Sequence, residues 1–125
     1  MTKHQTALFQ KARRALETAR LSLQDGDASA AVNRAYYAAF YAATAALLEK
    51  GEAPKTHKGV HQRFHLHFVD SGTLDLTISK ILPFAADARQ QADYDVFTVF
   101  DEAAAADLIV DVERFVEAVA TLLTP

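Results

Sequence analysis

The segment Ala35-Tyr36-Tyr37-Ala38-Ala39-Phe40-Tyr41-Ala42-Ala43 constrains this chain more than any other part of it. It lies inside a helical pattern running from about Ala28 to Lys50, with Gly51 as the stop signal. The segment is apolar almost all round, and a helix of that kind is buried on most of its sides. It is therefore expected to be the central element of a helical bundle. Its alanines let neighbouring backbones come close, and its three tyrosine hydroxyls each want a partner when buried. Composition agrees: alanine supplies 25 of 125 residues, while Val and Ile together supply 12. Such a chain favours helix over strand.

Four further helices are expected around it. The first runs from about Lys3 to Gln24, with Leu8, Ala12, Ala15, Leu16, Ala19 and Leu23 as its apolar stripe. Gly26 ends it and Asp27 caps the second. Thr56 caps a third, from about His57 to Val69, with Phe64, Leu66 and Phe68 supplying apolar contacts. A fourth, from about Leu74 to Gln91, holds Pro83 and should kink or break there. After an irregular link from Asp93, the last runs from about Asp101 to Leu123, burying Leu108, Ile109, Val112, Phe115, Val116, Val119 and Leu122. The expected fold class is all-α: an antiparallel up-and-down bundle of four to five helices, residues 1–125 forming one domain.

Several chemistries are excluded or disfavoured. The chain has no cysteine, so it has no disulfide, thiolate nucleophile or cysteine zinc site. The longest charge-free stretch, Ala35 to Leu48, is fourteen residues, short of the roughly 20 that a membrane span needs. Residues 1–14 carry no apolar signal segment, and the expectation is a cytoplasmic protein without membrane contact. The net charge of −3 divides unevenly. Residues 1–67 carry ten Lys/Arg against five Asp/Glu, and residues 68–125 carry three against eleven. Strong nonspecific nucleic-acid binding is disfavoured by that total, but a basic face from the first half is not.

Four clusters could carry chemistry. Arg34, Tyr37 and Tyr41, with Asn33 beside them, share a face of the second helix. An arginine in so apolar a stretch either reaches solvent at a bundle edge or meets an acid. Arg89, Gln90, Asp93 and Tyr94 stand near a helix end, where an arginine can donate to helix-end carbonyls or to a phosphate, or simply pair with an acid four residues on. Lys55, His57 and Lys58 surround the Thr56 cap, an arrangement that suits an anion. His57, His61 and His65 stack along one face, with His67 pointing elsewhere. Two such histidines can share a metal, but no carboxylate lies within the stretch to complete a ligand set, so a solvated polar face with no metal is expected.

In order, Asn33 to Tyr41, Gly51 to Pro54-Lys55-Thr56-His57-Lys58-Gly59-Val60, Phe68-Val69, Gly72-Thr73-Leu74 and Arg89 to Ala92-Asp93-Tyr94 resemble the HEPN domain family, the higher eukaryotes and prokaryotes nucleotide-binding domain. The likeness spans roughly residues 5 to 122 and is strongest to the small stand-alone prokaryotic branch. It implies a helical bundle that forms a homodimer and binds nucleotide or RNA. It also implies a minimal nucleotidyltransferase partner in a toxin–antitoxin-like pair.

Many members are metal-independent ribonucleases. Their motif is an Arg, four to six residues of which the first is mostly polar, then a His. Arg89-Gln90 would begin such a motif, yet Tyr94 stands where the His belongs, and the last histidine of the chain is His67. A phenol, with a pKa of about 10, is a poor proton shuttle near neutral pH. The expectation is a binding module without the usual ribonuclease chemistry and without a cofactor. Two alternatives stand beside it: a purely structural or interaction helical dimer, and a variant ribonuclease using Arg89 and Tyr94, with His57 as a recruit from another helix.

Overall fold

The computed structural model describes residues 1–97 and 99–125; Thr98, in the expected link, lies outside the described residues. Every regular element among the described residues is a helix, with no strand. The order is α1 (Lys3–Gln24), α2 (Ala28–Glu49), α3 (His57–Phe64), a π-helical turn (His65–Val69), α4 (Leu76–Ser79), α5 (Ile81–Tyr94) and α6 (Glu102–Leu123).

Helix α2 occupies the centre, packing against α1, α3, α5 and α6. Ala31, Ala35, Ala38, Ala39, Ala42, Ala43, Ala45 and Ala46 are fully buried, so the small side chains bring several neighbours close to one axis. The larger residues fill the space between axes. Phe9 of α1, Tyr36 and Leu47 of α2, Phe64 of α3 and Phe115 of α6 are all at most 2% exposed. Each such side chain contributes roughly 1.5–3 kcal/mol by leaving water.

The turns follow from local chemistry. Gly26, at φ +81°, follows the α1 C-cap. Its N–H donates to Leu23 O, and the next N–H, of Asp27, donates to Ser22 O, satisfying carbonyls that the helix end leaves open. Asp27 then caps α2 by accepting from Ala30 N at 3.0 Å. The same paired bonds recur after α2, where Gly51 N donates to Leu48 O and Glu52 N to Leu47 O. This turn sets Glu52 beside α3, where Arg63 grips its carboxylate at 2.6 and 3.0 Å and His67 meets it as well. The Arg63 hydrogen bonds, followed by the His67 contact, hold the Glu52 carboxyl below the usual carboxylate range.

Four expectations are corrected. The third helix does not stay α-helical to Val69. Past Phe64 it widens, with Asp70 N donating to His65 O, and this keeps Phe64 and Phe68 buried with ring centroids 5.1 Å apart while Leu66 turns out to solvent. The fourth helix breaks as expected, at Lys80 just ahead of Pro83, but ends later than Gln91. The Pro83 ring would strike the carbonyl four residues back, that of Ser79, so the helix stops there and restarts with Pro83 in its first turn, where no N–H is needed. It then continues to Tyr94, which places Arg89 and Asp93 on the same helix.

In α1 the buried stripe is Gln5, Phe9, Ala12, Ala15, Leu16 and Ala19, with Leu8 and Leu23 only partly buried. In α6 it is Leu123, seven residues after Val116, that closes the core, and Leu122 is 38% exposed. The two unlike-charged halves meet along α1 and α6, where Arg13 pairs with Glu117 at 3.2 Å and Arg20 with Glu113 at 2.6 Å.

Candidate functional site

Helices α2, α3 and α5 bring their polar residues together at one place. On α2, Tyr36 is 2% exposed, although its ring ends in a hydroxyl. That hydroxyl lies 2.9 Å from Nδ1 of His57 and 3.1 Å from Nε2 of His61. Their spacing of four on α3 turns both imidazoles toward α2, and the Thr56 hydroxyl fixes the start of the helix by accepting from Gly59 N at 2.9 Å. The His57 ring also stacks on Phe40, centroids 4.2 Å apart. Burial pushes the Tyr36 phenol up to about 12, against an opposing pull from Arg89. Burial, and then the Arg89 charge, hold His57 below the ordinary imidazole value. His61 is lowered as well, by burial and by His57, while Asp87 acts in the opposite direction.

Arg89 of α5 closes the group. Its guanidinium carbon lies 5.7, 5.5 and 5.6 Å from the ring centroids of Tyr36, Tyr37 and Tyr94, a cation ringed by π-faces. Nη2 donates to the Tyr37 hydroxyl at 3.3 Å. Nε lies 2.9 Å from Asp93 Oδ2, close enough for an ion pair, but its N–H is not aimed at that oxygen and, though buried, makes no hydrogen bond. Asp93 in turn accepts from Asn33 Nδ2 at 2.9 Å.

Of the residues singled out from the sequence, Asn33, Tyr37, His57, Arg89, Asp93 and Tyr94 converge here. Arg34 sits beside Asn33 at the edge of the cluster. Its Nε donates to Asn33 Oδ1 at 3.1 Å and its guanidinium lies 4.9 Å from the Tyr37 ring. Tyr41 is a step away, with Lys11 of α1 4.8 Å over its ring. Lys55, Lys58 and Gln90 are exposed, and the structure does not bring them into contact with the cluster. Among the described residues, no three His, Cys, Asp or Glu side chains gather as a metal site. His65 instead pairs with Asp70 at 3.0 Å.

Two central residues went unrecognised as site members in the sequence. Tyr36 reads as core because its neighbours are apolar. His61 reads as a helix-face histidine because its partner lies 25 positions away in the chain. The signal available was Tyr36 facing the same way as Phe40, together with two histidines four apart.

Chemically, the cluster offers a confined cation, exposed aromatic surface at Tyr94, and an imidazole near enough to the cation to feel its charge. Among the described residues no helix is long and apolar enough to cross a membrane.

Comparisons with known proteins find relatives over most of the chain. A protein of Thermotoga maritima named UPF0332 protein is 34% identical over 113 residues, covering 90% of this chain and 86% of that one. Two proteins of Methanocaldococcus jannaschii, each named "Putative toxin", also match. One is 35% identical over 111 residues, covering 89% of this chain and 82% of the relative. The other is 36% identical over 88 residues, covering 70% and 60%. The HEPN domain profile matches residues 6–122. With that span matched, this chain belongs to the HEPN domain family.

Proposed function

We propose that this chain is a nucleotide- or RNA-binding HEPN module of a toxin-type pair, holding a phosphate at Arg89 and a base against Tyr94. The observation that carries this reading is the state of Arg89. Its side chain is 21% exposed and is framed by three tyrosine rings. A guanidinium presents a planar fork matched to phosphate. Tyr94 is 64% exposed, which leaves a ring face open for stacking. Asn33 adds a donor, and the exposed Lys55 and Lys58, next to His57 in the chain, add positive charge.

Titration calorimetry with 5′-AMP and with short RNA tests this. A hydrogen bond to a charged group is worth about 1.5–3 kcal/mol, so Arg89→Ala should weaken binding tenfold to a hundredfold. A folded wild-type protein that binds neither probe at millimolar concentration overturns the reading.

The same proposal includes a homodimer and a minimal nucleotidyltransferase partner. Its support is the link between α5 and α6, where Val96, Phe97 and Val99 are 86–93% exposed. Apolar surface of that kind marks contact sites. The relatives named as toxins favour a paired system. Co-purification with the product of the neighbouring reading frame tests the partner.

A second reading, a variant ribonuclease, has one observation in its favour. The helix bearing Arg89 lacks the family histidine, but His57 of α3 stands close enough to Arg89 to feel its charge. RNA cleavage that persists in Arg89→Ala would dismiss this site as its source.

A further inference from the structure

The Tyr36 hydroxyl stands between two imidazole nitrogens, His57 Nδ1 at 2.9 Å and His61 Nε2 at 3.1 Å. A phenol has one proton. It donates to one ring, and the other ring must donate to it. Two neutral arrangements satisfy all three groups. In one, Tyr36 donates to His57 and His61 donates to Tyr36, so both rings carry their proton on Nε2. In the other the direction reverses, and both rings carry it on Nδ1.

We propose that His57, Tyr36 and His61 act as a single proton-transfer unit, with its outer end serving a ligand at Arg89 and its inner end reaching a separate cleft. The proton count closes without any other reactant. With both rings protonated on Nδ1, His57 Nε2 accepts a proton from a hydroxyl or water held beside Arg89. The His57 Nδ1 proton moves to the Tyr36 oxygen, and the Tyr36 proton moves to His61 Nε2. His57 is left neutral with its proton on Nε2, His61 becomes the imidazolium, and the phenol is never ionised. Running the chain backwards returns the proton to the ligand.

Charged and titratable groups surround the unit. Tyr36 and Tyr37 face it from α2, and Arg89 and Asp87 act on it from α5. Arg89 opposes positive charge on His57, whereas Asp87 favours it on His61. Burial opposes the charge on both rings, so these two side chains bias a transfer whose path the hydrogen bonds set. His61 also lines a cleft of about 370 Å³ with Phe64, Leu82 and Pro83, so the inner ring reaches a second opening in the surface. The ligand end of the unit rests on the Arg89 reading above; the coupled rings are a property of the free chain.

Imidazole nitrogen NMR of the full chain between pH 4 and 9 tests it. In ligand-free wild type, His57 and His61 should show the same tautomer, and both should respond in the first protonation step. In Tyr36→Phe, and separately in His61→Gln, His57 should titrate in a single step of its own. Opposite tautomers in the wild type, or one His57 curve common to wild type and both variants, overturn the unit. Adding 5′-AMP should raise the midpoint of the first step by half a pH unit or more, and Arg89→Ala should abolish that rise while both rings still respond together. Coupled rings in a wild type unmoved by 5′-AMP overturn the Arg89 reading and the outer end alone.

Discussion

The His57 imidazole lies nearly flat on the Phe40 ring, centroids 4.2 Å apart and planes 20° from parallel. Phe40 thus walls one face of the imidazole from water, and burial is the largest reason that His57 sits below its ordinary pKa. Phe40→Ala should open that face and let the His57 midpoint climb back toward 6.5, the Arg89 charge still holding it slightly under. A proton NMR titration of the His57 ring checks this; a midpoint that does not move would place the desolvation elsewhere.

Acid should weaken the fold before the carboxylates are reached. His57 and His61 have folded pKa values below the 6.5 of the free side chain, so below that pH the unfolded chain binds protons that the folded chain resists. Their contribution is complete above pH 6.5 and is lost as pH falls toward the folded values. Urea midpoints measured from pH 7.5 down to 5 should fall across this window, and less steeply in a His61→Gln variant.

At the alkaline end the sign reverses. The Tyr36 phenol ionises near 12 when folded and at 10.0 when free, so the unfolded chain sheds the proton first and stability declines as pH rises from 10 to 12. Ultraviolet titration should show a late phenolate step near pH 12 in wild type that Tyr36→Phe removes.

Asp93 shares Arg89 with any anion that arrives. Asp93→Asn keeps an oxygen for Asn33 but removes the negative charge 2.9 Å from Arg89 Nε. Nucleotide affinity should rise, by up to about fivefold if the pair is worth roughly 1 kcal/mol. Calorimetry with 5′-AMP compares the two proteins, and weaker binding in the variant would mean that Asp93 chiefly positions Arg89.

Gln5 shows how a polar side chain can serve the core. It completes the α1 cap with Thr2 and donates from Nε2 to Glu49 Oε2 at 2.7 Å and Ala45 O at 3.3 Å, while only 1% exposed. Gln5→Ala should cost about 1–3 kcal/mol in urea unfolding and leave nucleotide affinity unchanged.

Most of the helices were legible because each rule involved reached only a few residues along the chain. Asp27, Thr56 and Asp101 each mark a helix start, and the apolar run of α2 marks the centre of the bundle. What was not legible depends on contacts made across the fold. Gln5 is buried because Glu49 and Ala45 of α2 receive its amide, and no local pattern announces that. Tyr36 and His61 belong to the site because α3 folds back on α2, an encounter between positions 25 apart. Arg89 and Asp93 were seen as a pair, whereas the three rings around Arg89 come from two helices and could not be assembled from spacing.

The widened turn at His65–Val69 has a consequence for how this chain tolerates changes in length. A π-helical turn closes its bonds over five residues where an α-helix uses four, so it holds one residue more than regular winding would. Deleting one exposed residue there, such as Leu66, would let the segment relax to ordinary α winding without shifting Phe64 or what precedes it. The His57–His61 end would keep its seat on α2, and the residue lost would be a solvent-exposed one. The turn is a length reserve, placed past the His57–His61 end, where one residue can be lost while both rings keep their bonds to Tyr36.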